Sequence, residues 1–76
     1  MEPGTLVKLS GRPDRRYDGV DYIKKCWFKV LPEHTGMYIK TILKENQMFS
    51  DIILIGDTLV QVAPGVMEPL CLQNSI

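Results

Sequence analysis

Short runs of alternating apolar and polar residues, punctuated by glycines, prolines and small polar turns, set the rhythm of this chain. In Thr5-Leu6-Val7-Lys8-Leu9-Ser10, the set Thr5, Val7 and Leu9 alternates with Leu6 and Lys8 between Gly4 and Gly11. That pattern predicts a half-buried strand. Lys25 to Leu31 repeats it, with Cys26, Phe28 and Val30 on one face and Trp27, Lys29 and Leu31 on the other, until Pro32 ends the run and a turn carries the chain to Gly36. The clearest signal comes later. Ile52-Ile53-Leu54-Ile55, then Gly56-Asp57, then Thr58-Leu59-Val60-Gln61-Val62 predicts a hairpin, because glycine at the first central position accepts the positive φ of a type II′ turn. Pro64-Gly65 closes that strand. In the tail, Val66, Met67, Leu70, Cys71 and Leu72 are apolar enough to pack back on the body, and Pro69 limits any helix there to a turn.

Two segments read less simply. Met37 to Lys44 buries Met37, Ile39, Thr41 and Leu43 as a strand, or Tyr38, Ile39, Ile42 and Leu43 as a helix. Gly36 is a weak helix start, and Tyr, Ile and Thr favour strands, so a strand is expected, followed by a turn at Glu45-Asn46-Gln47. Gly11 to about Tyr22 is polar, with Pro13, Gly19, three aspartates and three arginines, and reads as an excursion loop with room for a short ribbon.

Strands at intervals of about ten residues predict a small all-β barrel, since closure removes the open edges that a small sheet tolerates poorly. The order is one strand, a long loop, three strands joined by tight turns, and a fifth. At the level of architecture this resembles a five-stranded SH3-like barrel with a long first loop, Gly11 to Lys24. The G-x-x-x-G signature of KOW-type barrels is missing, and the sequence alone does not place the paired aromatics and proline of a proline-rich-peptide groove. A partly open OB-like barrel is the alternative, or an α+β fold if residues 37–45 are helical. Residues 1–76 form a single domain in each case.

Composition sharpens this picture in a few places. A chain of 76 residues, 45% of them apolar, buries only about 60% of its unfolded surface. Part of its apolar complement is therefore expected to be covered by a partner or by a second copy in a homo-oligomer. No run approaches the roughly 20 apolar residues of a membrane span, and Met1-Glu2-Pro3-Gly4 does not open a secretory signal. A cytoplasmic protein with no membrane association is expected, with Cys26 and Cys71 reduced and behaving as small apolar residues. All nine basic residues lie at or before Lys44, and only Glu45, Asp51, Asp57 and Glu68 are charged after it. That asymmetry hints at an anionic partner for the first half, unless interleaved strands disperse it.

Nothing in the sequence calls for catalysis. His34 is the only histidine, and a turn histidine reads as a solvated residue with no nucleophile beside it. Asp14, Asp18 and Asp21 lack a metal-ligand pattern and read as ion-pair partners and turn-formers. The glycines are scattered singly, so no phosphate cradle forms, and no cofactor or metal is expected. The distinctive stretch holds Arg12, Arg15, Arg16, Tyr17, Tyr22, Lys25, Trp27 and Lys29. Aromatics with arginine suit a protein interface, and the aspartates among them suit a specific electrostatic match. The expectation is a non-enzymatic, intracellular protein-binding module: an adaptor, accessory subunit or inhibitor of a bacterial or bacteriophage kind. Cations interleaved with aromatics over 12–29 also fit single-stranded nucleic acid, which is the alternative.

Overall fold

The computed structural model describes residues 2–10 and 16–70, and it is all-β. Seven strands follow one another: β1 Leu6–Leu9, β2 Tyr17–Asp21, β3 Trp27–Val30, β4 Thr35–Leu43, β5 Phe49–Ile55, β6 Thr58–Val62 and β7 Met67–Pro69. They form one antiparallel sheet in the order β3-β2-β6-β5-β4-β1-β7. The sheet curls into a half-barrel. Its end strands deliver Val30 and Met67 to one core, which they share with Val7, Leu9, Tyr38, Ile53, Ile55, Val60 and Val62. Each such aliphatic side chain contributes about 1.5–3 kcal/mol on full burial. Among the described residues, no helix is long and apolar enough to cross a membrane.

The strand count differs from the five expected. The long polar stretch contains β2, whose alternation of Tyr17, Gly19 and Asp21 toward the core is hidden because two of these three are not apolar. The tail contributes β7, which pairs with β1 through Val7–Pro69, Lys8–Glu68 and Leu9–Met67. Residues 37–43 lie in a strand, not a helix, and that strand begins at Thr35. Its faces are reversed from the expectation. Tyr38 is buried, whereas Met37 and Leu43 are exposed, and the register shifts between Tyr38 and Lys40. The hydroxyls of Tyr38 and Thr41 share a 2.5 Å hydrogen bond, and Thr41 donates onward to Asp51 Oδ1 at 2.8 Å. Thr41, expected inward, is thus exposed and joins a polar chain on the outside of the strand.

Two glycines let the sheet curl. A Cβ on Gly36 would lie 2.6 Å from Ile53 Cγ2 and 2.8 Å from the Leu54 carbonyl oxygen. One on Gly19 would meet Val60 Cγ1 at 2.9 Å. The β5–β6 hairpin turns as predicted. Gly56 has φ 65° and no positive φ falls on Asp57, the signature of type II′, and Ile55 faces Thr58 across the turn.

The strand expected from Lys25 starts at Trp27, because Lys25 is left-handed with φ 63°. Cys26 is consequently exposed, not a buried apolar residue. Cys71 lies outside the described residues, as do Arg12 and Arg15. His34 is also more constrained than a solvated turn residue. Its Nδ1 accepts from the Leu31 N–H at 3.0 Å, and its ring tilts against Phe28 with centroids 5.9 Å apart.

Candidate functional site

The face of the sheet away from the core carries most of the described candidate residues, Tyr17 excepted. Register alone defines a row across it: Lys40, Ile52, Gln61, Val20 and Trp27, on β4, β5, β6, β2 and β3 in turn, with Ile52 buried beneath its neighbours. A second row holds Leu6, Met37, Leu54 and Leu59. The tips of two hairpins flank this surface, and sequence chemistry builds both.

The β2–β3 tip is shaped by Asp21, whose Oδ1 accepts from the N–H groups of Ile23 at 2.9 Å and Lys24 at 2.8 Å. This is the local turn bond for which aspartate is favoured. It commits Lys25 to a left-handed backbone and places its Nζ 4.8 Å from the centre of the Tyr22 ring. At the β4–β5 tip, Lys44 and Met48 close a three-residue turn, with Lys44 N–H donating to Met48 O at 2.9 Å and Gln47 left-handed at φ 64°. Asn46 Oδ1 accepts the Met48 N–H at 3.1 Å.

Between the tips lies an open cleft of about 500 Å³, lined by Tyr22, Lys25, Ile42, Lys44, Glu45, Asn46 and Gln61. Lys44, Asn46 and Gln61 also line a neighbouring cleft of about 220 Å³, so the two adjoin. The second one adds Tyr17, Met48, Phe49 and Pro64. Met48 and Phe49 are both more than half exposed. Comparison with protein-family models, with curated proteins and with solved structures gives no match.

The residues singled out in the sequence fall into separate places. Tyr22 and Lys25 come together at the first cleft. Tyr17 lines the second, with its ring packed on the core and its hydroxyl 3.4 Å from the Ala63 N–H that donates to it. Trp27 and Lys29 share the outward face of β3, where Trp27 is 78% exposed and Lys29 Nζ sits 3.9 Å from Asp18. Trp27 is therefore a surface residue. Arg16 is exposed at the start of β2.

Among the cleft residues, Ile42, Lys44, Glu45, Asn46, Phe49, Gln61 and Pro64 were not singled out by the sequence. Their signal was positional. They sit at strand ends or in the turns between them, and only the curl brings those places together. Among the described residues no group of three or more His, Cys, Asp or Glu side chains could hold a metal ion.

Proposed function

We propose that this chain is a non-enzymatic, intracellular protein-binding module that seats an extended segment of its partner in the paired clefts between the β2–β3 and β4–β5 hairpins. The observation that carries this reading is the clefts' composition. Apolar and aromatic walls, from Tyr17, Tyr22, Met48 and Phe49, surround a few polar groups that can fix orientation. Lys25 and Lys44 oppose Glu45 at the first cleft, a mixed charge that selects a specific partner and gives little purchase to a uniform polyanion. An adaptor, accessory subunit or inhibitor would use such a surface. The order of parts supports an SH3-like architecture. β1 leads into a long connection, which the β2–β3 hairpin fills, then β4, β5 and β6 follow by tight turns, and β7 is the last strand.

A second reading, single-stranded nucleic acid, draws on one specific feature. Lys25 over Tyr22, Lys44 across the cleft, and Trp27 with Lys29 place cations and aromatic faces on one side of the sheet.

The deciding experiment compares the full chain with Phe49→Ala and Lys44→Ala in affinity capture at about 200 mM salt, alongside anisotropy with labelled single-stranded DNA and RNA at about 50 and 200 mM. One protein held by the wild type and weakened about tenfold or more by Phe49→Ala supports the cleft. Capture that ignores both substitutions overturns it. Nucleic-acid binding that collapses between the two salts favours the second reading.

A further inference from the structure

We propose that β3 is an interface between two copies of this chain, paired antiparallel edge to edge about a two-fold axis at Phe28. The argument starts with the backbone. Asp21 N–H donates to Cys26 O at 2.7 Å, and the same register continues through Gly19–Phe28 to Tyr17–Val30. Hydrogen-bonded and non-hydrogen-bonded pairs alternate along an antiparallel ladder. Cys26, Phe28 and Val30 therefore turn their backbone groups toward β2, and Trp27 and Lys29 turn theirs away. Among the described residues no strand receives them, because β3 is the end of the sheet.

The open edge is short and closed at both ends. Leu31 is occupied by His34, donating to Nδ1 at 3.0 Å and accepting from the His34 N–H at 2.9 Å. On the other side the left-handed Lys25 ends the strand. Of the antiparallel registers, only one engages both outward residues of each copy: Trp27 opposite Lys29 of the second copy, with Phe28 opposite Phe28. Each Trp27–Lys29 pair then exchanges two backbone hydrogen bonds, and symmetry supplies the pair twice.

The side chains fit that register. On the outer face the ammonium of Lys29 comes beside the exposed indole of the second copy's Trp27, a cation–π pairing. Asp18, 3.9 Å from Lys29 Nζ, offsets the approach of the two cations. On the core side, Phe28 meets Phe28 at a non-hydrogen-bonded position. Cα atoms approach there to about 4.5 Å, and aromatic cross-strand pairs stabilise a sheet most. The opposite edge is less suited to it. Ser10 N–H donates to Val66 O, and Leu70 N–H to Leu6 O, so Met67 and Pro69 point outward from β7, and Pro69 has no N–H to give. This inference goes beyond the proposed partner cleft and can fail or hold independently of it, since the cleft variants leave β3 intact.

One strand per copy makes a small interface, so a dimer that forms at roughly 100 μM is expected. Sedimentation equilibrium of the full chain from about 10 μM to about 1 mM tests it across that range. Lys29→Pro removes an outward N–H, and with it the exposed ion pair to Asp18, while every backbone bond from β3 to β2 remains. It should weaken the dimer about tenfold or more with an unchanged circular dichroism spectrum. Independently, Phe28→Cys in a Cys26→Ser, Cys71→Ser background should form a disulfide-linked dimer on mild oxidation, because facing Cβ atoms at such a site are within bonding reach. A monomer throughout the range overturns the proposal. So does a dimer indifferent to Lys29→Pro in a folded variant, or a failure of Phe28→Cys to cross-link.

Discussion

Lys25 concentrates the tension between stability and use at the residue scale. A left-handed backbone is unfavourable for a residue with a Cβ, by roughly 1–2 kcal/mol, and glycine avoids that penalty. Lys25 persists there because Asp21 organises the turn, and its ammonium lies over Tyr22 at the cleft. Lys25→Gly is therefore expected to stabilise the fold by about 0.5–1 kcal/mol, after allowing for the looser unfolded chain. It should at the same time weaken partner capture, and urea unfolding with the capture assay reads both effects. A variant that is more stable and binds equally well would remove Lys25 from the site. Residues of this kind were legible in part. Lys25, Tyr22 and Trp27 stood out by type, but the sequence holds no mark of a left-handed lysine, since the turn closes on Asp21, whose side chain accepts from Ile23 and Lys24 and whose carbonyl accepts from Lys25.

Hairpins explain most of what could be read in advance at the scale of elements, and most of what could not. Gly56-Asp57 carries its turn type in its own residues, so β5 and β6 were plain. The boundaries and faces of β4 depended on partners far along the chain. Gly36 pairs with Val7 and lies against Ile53 and Leu54, and so buries a position with no side chain to advertise it. Gly36→Ala is expected to destabilise the protein by about 2–4 kcal/mol, because the Cβ meets a backbone oxygen as well as a side chain and β4 and β5 must separate. Chemical denaturation measures it, and a loss under about 0.5 kcal/mol would show that the strands yield freely. β2 was hidden for a related reason. Gly19 and Asp21 face inward, and binary patterning registers neither as apolar.

At the scale of the whole molecule, the curl does two things at once. It gathers one core from both ends of the sheet, and it brings the tips of two hairpins into a cleft that no single segment contains. The all-β, barrel-like class followed from strand spacing. The cleft did not, because it depends on how far the sheet bends. A gradient of protection should result. Amides of Ile53 and Val60, on central strands and fully buried, are expected to exchange with solvent only through global unfolding, and those of Trp27 and Lys29 far faster in dilute solution. Native-state hydrogen exchange tests this, and equal protection at edge and centre would contradict the strand order. Pro69 has its own bearing on how the protein behaves when crowded. A sheet with one good margin has a built-in brake: once that margin is taken, the proline-bearing margin outside offers a poorer template. Growth beyond a pair is disfavoured, because Pro69 takes one of the two outward N–H groups from the margin that a third copy would need.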